Sequence, residues 1–222
     1  MQRFIVVGLG HFGSWVAQAL HQQGHEVVGI DSNPILVDRL VDLVTKGVVG
    51  DATSRELLAE IGVEGADAAI VSTGDNLAAS VLATQALKDL HVKDIFVKVA
   101  SPEAARVSQA LGVTDTIFPE REAALRLAHR LGSKAVFDYL PLAKGYSMQE
   151  VAIPDGWIGR SLRELALPKE HGINVVALYD VLTDELHPVP DPDTPLKESD
   201  LAIVVGRDDT IAKVLRASRE GA

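Results

Sequence analysis

The stretch Gly8-Leu9-Gly10-His11-Phe12-Gly13 decides the fold, because it follows directly on the apolar run Phe4 to Val7 and opens a segment of helical periodicity. In a G-x-G-x-x-G placed this way, the first glycine makes the tight turn and the second lets the backbone approach a pyrophosphate. The third lets helix and strand pack closely, so that the helix N-terminus faces the phosphates. Eighteen residues beyond Gly13, Asp31 closes a second apolar run, Glu26 to Ile30. A carboxylate there accepts hydrogen bonds from ribose hydroxyls and repels a 2′-phosphate. Together the two features predict a nucleotide site at the start of a Rossmann-like domain.

Working outward, the short runs Phe4 to Val7, Glu26 to Ile30, Gly47 to Val49, Ala68 to Ser72, Ile95 to Val99 and Thr116 to Phe118 are nearly all apolar rather than alternating. Strands covered on both faces by helices require that composition. Between them, Asn33-Pro34 and Ser101-Pro102 place a capping side chain before a proline at the first helical position, and Thr53-x-x-Glu56 has the spacing of a capping box. Six parallel strands and five intervening helices follow. The expected fold class is α/β, a Rossmann-like doubly wound parallel sheet followed by a small α+β C-terminal domain. The division is expected as 1–140 and 141–222. Pro119-Glu120-Arg121-Glu122 opens a further helix to about Leu131, whose stripe of Ala123, Ala124, Leu127, Ala128 and Leu131 suits either a subunit interface or its own sheet. Beyond Gly145, Glu150 to Ile153, Asn174 to Tyr179 and Leu201 to Val205 read as strands, Ser161 to Leu167 as one short helix, and Val189 to Pro195 as a loop.

Composition removes several classes of function. There is no cysteine, so thiolate catalysis, disulfides and Cys-based metal centres are out. The net charge of −10 is evenly spread, 12 basic against 17 acidic residues in 1–140 and 9 against 14 in 141–222. That distribution offers no basic face to nucleic acid and repels anionic lipid, so membrane association is expected through a protein partner, without direct insertion. Phe4 to His25 carries no formal charge, yet its glycines, three His and three Gln read as strand, turn and helix rather than as a span or a signal peptide, and the protein is expected to be cytoplasmic.

The candidate nucleotide contacts are Gly8, Gly10, His11, Phe12, Gly13, Asp31, Ser32, Asp51, Ala52, Ser72, Thr73, Gly74 and Lys98. Asp51 either accepts from an adenine amino group or caps the next helix. Lys98 either lines the pocket or is a solvated strand end. His21 and His25 are four apart, but Gly24 ends the helix between them, which argues against a metal pair. No nucleophile elbow or P-loop is present, and His171 and His187 fall in expected loops without a partner spacing, so no catalytic residue is assigned.

Taken together these residues resemble the regulator of potassium conductance family, and within it the cytosolic subunits of Ktr-type potassium uptake systems. The likeness runs through Val6 to Asp31, Gly50-Asp51-Ala52-Thr53, Ala68 to Asn76, Phe96-Val97-Lys98 and Pro119 to Glu122. It continues through Ile158 to Leu165, Gly172 to Leu178 and Ser199 to Gly206. The related Trk regulators resemble two such units in tandem, whereas this chain holds one. The resemblance implies a non-enzymatic regulatory subunit that binds ATP or ADP, with NAD or NADH as alternatives. It would dimerise through the helix at Pro119, assemble into an octameric ring, and gate a membrane potassium-translocating subunit. It implies Mg²⁺ or Ca²⁺ held by Glu120 at the subunit interface, the alternative being a carboxylate answering the helix dipole. Some relatives bind cyclic di-AMP in a cleft between paired C-terminal domains, which Ile158 to Leu165 and Gly172 to Val176 would line here; Arg160 or Arg163 would suit a phosphate or be solvated charges. Where the family commonly has Arg, this chain has His11, which bears on how sharply ATP is told from ADP. The competing reading is a small NAD-dependent oxidoreductase or an NAD-sensing protein.

Overall fold

The computed structural model describes residues 1–132 and 136–217. By contact the chain forms two compact units, Met1–Glu120 and Arg121–Ala222. The first alternates strand and helix: β1 (Arg3–Val7), α1 (His11–Gln22), β2 (Glu26–Asp31), α2 (Pro34–Asp38), β3 (Lys46–Val49), α3 (Arg55–Glu60), β4 (Ala68–Val71), α4 (Leu77–Asp89), β5 (Asp94–Lys98), α5 (Pro102–Ala110) and β6 (Asp115–Ile117). The strands are all parallel, in the order β3-β2-β1-β4-β5-β6, so the direction of winding reverses between β1 and β4. Consecutive residues of β1 feed opposite cores. Ile5 and Val7 pack with Leu58, Ala83 and Leu87 on one face, and Val6 packs with Ala17, Val37 and Leu40 on the other. Two covered faces are why these strands carry no alternation. The uncharged run from Phe4 to His25 is β1, a turn and α1, and no described helix is long and apolar enough to cross a membrane.

Four of the five helices begin on a side-chain cap: Asn33 for α2, Ser54 for α3, Asn76 for α4 and Ser101 for α5. The expected box at Thr53 and Glu56 does not form. The Thr53 hydroxyl donates to Asp51 Oδ1 at 2.8 Å, which withdraws it from the helix, and Ser54 accepts from Leu57 N instead.

The turn after β1 depends on two close approaches. Gly8 lies at φ +86°, and a Cβ there would sit 2.1 Å from the Ser72 carbonyl oxygen at the end of β4. A Cβ on Gly13 would sit 1.9 Å from the Gly8 carbonyl oxygen, whereas one on Gly10 would meet nothing within 4 Å. The outer glycines are thus demanded by packing, and the middle one faces open space.

The second unit contains α6 (Pro119–Gly132) beyond its first residues, then β7 (Val136–Ala143), β8 (Tyr146–Ala152), α7 (Leu162–Leu165), α8 (Leu167–His171), β9 (Asn174–Asp180), β10 (Glu185–His187), β11 (Asp200–Arg207) and α9 (Asp208–Ala217). Its antiparallel sheet runs β10-β9-β11-β8-β7 over a core of Val151, Trp157, Ile173, Ala202, Val204 and Ile211. The division by contact falls at Glu120 rather than at 140, because α6 faces β7: the His129 ring stacks on Tyr139 with centroids 3.8 Å apart. Residues 218–222, the end of the expected second domain, lie outside the described residues. The single helix expected over Ser161 to Leu167 is two. Ser161 and Glu164 form a reciprocal capping box that starts α7, Ala166 turns left-handed at φ +46°, and Pro168 starts α8 afresh.

Replacing Gly13 by Ala is expected to destabilise the first unit by about 3 kcal/mol, since backbone must yield to the new methyl. Gly10→Ala should stay within about 1 kcal/mol of the parent, because its φ is not positive and the space is open. Urea unfolding of the two variants measures both values.

Candidate functional site

A cleft of about 350 Å³ opens at the carboxyl ends of the parallel strands, across the reversal between β1 and β4. Open α/β sheets place their ligands at this position. Each strand contributes its following loop: Gly8 and Gly10 after β1, Asp31 and Ser32 after β2, Asp51 and Ala52 after β3, and Ser72, Thr73 and Gly74 after β4. Nine of the thirteen candidate contacts therefore converge on one space. His11, Phe12, Gly13 and Lys98 are not among its lining residues. Gly13 is buried under the turn, Phe12 packs with the α1 core, and His11 is exposed at the first position of α1.

The geometry around Asp31 explains how the loop is held. Asp31 Oδ2 accepts from Leu9 N at 2.7 Å and Oδ1 accepts from Asn33 N at 2.8 Å, so one carboxylate ties the glycine turn to the start of α2. Each carboxylate oxygen has a further lone pair, which leaves capacity for ribose hydroxyls. Asp51 does not cap α3. Its Oδ1 accepts the Thr53 N–H at 2.9 Å and the Thr53 hydroxyl. Those two bonds, the backbone one foremost, hold its carboxyl below the usual range and keep it an ionised acceptor at the cleft wall.

Helix α1 differs from its neighbours at the end that meets the cleft. Its N-cap is Gly10, which has no side chain to answer the first-turn N–H groups. Among α1 to α5 it alone starts without a side-chain cap. Uncapped N–H groups and the positive end of the helix dipole together favour an anion.

Sequence reasoning missed the far wall. Asn76, Ala79 and Ala83 of the α4 region line the cleft, with Leu36, Gly50 and Thr53. The signal was a pair of alanines four apart, Ala79 and Ala83, on a helix that starts beside the β4 loop, which leave room where larger side chains would fill it.

Lys98 lies one strand beyond the cleft. The register pairs Val71 with Val97, which sets Lys98 level with Ser72, and Lys98 Nζ forms an ion pair with Glu120 Oε1 at 2.6 Å. That hydrogen bond is the main cause that lowers the Glu120 carboxyl below its ordinary value. Among the described residues no group of three or more His, Asp or Glu side chains is gathered to hold a metal. Arg163 is taken by Asp193, whereas Arg160 donates from Nη2 to the Glu164 carbonyl at 3.0 Å and has no ion pair among the described residues.

Residues 4–119 match the TrkA-N domain and residues 148–218 match the TrkA-C domain. The Ktr system potassium uptake protein A of Vibrio alginolyticus is 33% identical over 97% of both chains, and the Ktr system potassium uptake protein C of Bacillus subtilis is 34% identical over 80% of both. The chain belongs to the Ktr/TrkA family of potassium-uptake proteins. The GsuK channel bound to NAD superposes with a TM-score of 0.66 at 17% identity, over 97% of this chain and 39% of that one, a likeness of fold alone. In the Ktr/TrkA chain, the glycine turn, Asp31 and Lys98 all fall within the TrkA-N match, and Glu120 is the first residue beyond it.

The Glu120 carboxyl is lowered in the folded protein, so its pair with Lys98 contributes stability above the ordinary value of 4.5 and loses it as pH falls through the lower folded value. Glu120 is 68% exposed, which limits the contribution to about 0.5–1 kcal/mol at neutral pH. Glu120→Gln should show that deficit at pH 7, and the deficit should shrink as pH is lowered below 4.5, as read by urea unfolding over that range.

Proposed function

We propose that the chain is the cytoplasmic regulatory subunit of a Ktr-type potassium uptake system, and that it binds an adenine nucleotide in the cleft between β1 and β4. The observation that carries this reading is the uncapped N-terminus of α1, opening onto a cleft walled by four strand ends. A pyrophosphate would complete the first-turn N–H groups over Gly10, where the missing side chain leaves space. Asp31 would take the ribose and the ionised Asp51 the adenine amino group. The cleft volume of about 350 Å³ falls within the range of small-molecule sites, about 300–1,000 Å³. NAD in GsuK supports an adenylyl group as the shared element of the fold. ATP and ADP are the ligands we favour here, with His11 on the exposed side of the turn as the residue that sets their ratio of affinities.

Regulation requires that the ligands bind two states of an assembly unequally. Helix α6 supports assembly: it has no buried residue in the single chain, and Leu125, Leu127 and Leu131 are 49%, 52% and 78% exposed. Such an apolar helix stripe suits pairing of two copies, and pairs of copies would build the ring that engages a membrane potassium-translocating subunit. Glu120, beside the nucleotide domain's edge, is the carboxylate we assign to a divalent cation when nucleotides of paired subunits meet; it would exchange Lys98 for the ion.

ADP or ATP at a hundred times its Kd should stabilise the protein by about 2.7 kcal/mol, a rise in Tm of about 5–10 °C at this chain length. Asp31→Ala should lose most of that rise in a thermal-shift titration. Equal shifts in the variant and the parent would displace the nucleotide from this cleft. Light scattering should give a particle larger than a dimer, and a monomer with hydride-transfer activity would overturn the regulatory reading.

A further inference from the structure

The second unit holds a cavity of about 300 Å³ that the nucleotide reading does not use. Its floor is Trp157, Leu165 and Leu167, all buried, and its rim carries Arg160, His171 and Lys213. The three basic residues come from separate places in the chain: the loop before α7, the last position of α8, and the second turn of α9. Convergence of this kind is set by tertiary structure rather than by a charge run.

The charge pattern is opposite to that of the surrounding chain. Residues 141–222 contain 14 acidic against 9 basic residues, yet no acidic side chain lines the cavity among the described residues. Elsewhere in the unit Arg163, Lys197 and Arg207 are each matched by an aspartate. Arg160 and Lys213 have no ion pair among the described residues; the Arg160 guanidinium spends one donor on the Glu164 carbonyl, and the nearby Glu164 carboxylate, which it helps to keep ionised, is itself engaged by the Ser161 N–H and hydroxyl. Cations that share a concave surface with no acidic side chain in its lining raise the local potential and attract an anion. Guanidinium and ammonium side by side suit phosphate, the first as a planar fork and the second as a point charge. The apolar floor suits an attached organic body rather than a bare ion. The volume lies at the small end of ligand sites, about 300–1,000 Å³, which favours a ligand no larger than a mononucleotide.

We propose that this cavity binds a small organic phosphate, with the phosphate on Arg160, Lys213 and His171 and the organic body against Trp157, Leu165 and Leu167. The bound molecule would bridge α8 and α9 and so stiffen the C-terminal unit. The assignment is independent of the nucleotide in the first unit.

The two tryptophans of the chain make a clean test, because Trp15 is 71% exposed in the first unit and Trp157 is 4% exposed at the cavity floor. In a Trp15→Phe protein, phenyl phosphate should change Trp157 fluorescence in a saturable way, with calorimetry giving the same midpoint. Inorganic phosphate should bind at least tenfold more weakly. Arg160→Gln with Lys213→Gln should weaken phenyl phosphate at least tenfold while the unliganded Tm is kept, since both side chains are exposed; Asp31→Ala should leave it unchanged. Adenosine monophosphate in the same assay separates the sources: a Trp157 response lost in the double variant identifies a nucleoside phosphate, and its absence beside a phenyl phosphate response identifies a non-nucleotide one. Neither heat nor fluorescence change with phenyl phosphate, or a titration that survives the double variant, overturns the site.

Discussion

The structure of the first unit depends on one tight contact, the packing of the Gly8 carbonyl under Gly13 while Gly8 itself lies against the Ser72 carbonyl. A methyl group at either outer glycine would collide with backbone, so the chain can leave β1, reverse, and enter α1 beside the end of β4 only with hydrogen at both positions. The reversal of strand order sits at that same place, and the cleft is the space left between the two loops. Fold and site are consequences of a single close approach. The Asp31 carboxylate then fastens the turn from the other side through Leu9 N.

What distinguishes the cleft chemically is an omission. Four helices of this unit close their first turn with Asn or Ser, and the one that points at the cleft does not. A glycine in place of a good capping residue costs a little stability, on the order of a few tenths of a kcal/mol, and leaves the first-turn N–H groups open to a partner. A ligand carrying phosphate oxygens restores that loss and adds the favourable interaction with the helix dipole. The same logic with side chains in place of backbone applies at Arg160 and Lys213, where positive charge gathers over an apolar floor in an otherwise acidic unit.

The parallel sheet was legible because strands covered on both faces must be apolar throughout, and all six runs appear within a residue or so of their expected limits. The site was legible where glycine and aspartate answer backbone demands. It was not legible where small residues merely leave room, as at Ala79 and Ala83. Capping patterns proved ambiguous in sequence: Thr53 and Glu56 have the box spacing but Asp51 claims the threonine, while Ser161 and Glu164 form a box that went unread. The edge strand β7 was missed because it carries Pro141 and register irregularities between Val136 and Asp138 and between Pro141 and Ala143, which break its alternation. Helix α9 did carry a signal, with Ile211, Val214 and Leu215 at helical spacing behind Asp208 and Asp209.

Amide hydrogen exchange with and without ADP tests the central claim most directly, because it reports which backbone N–H groups a ligand covers. The expected result is added protection in the Gly10 to Ser14 turn together with the loops at Asp51 to Thr53 and Ser72 to Asn76. Protection confined to other segments, or none at ADP concentrations that saturate binding, would contradict the account.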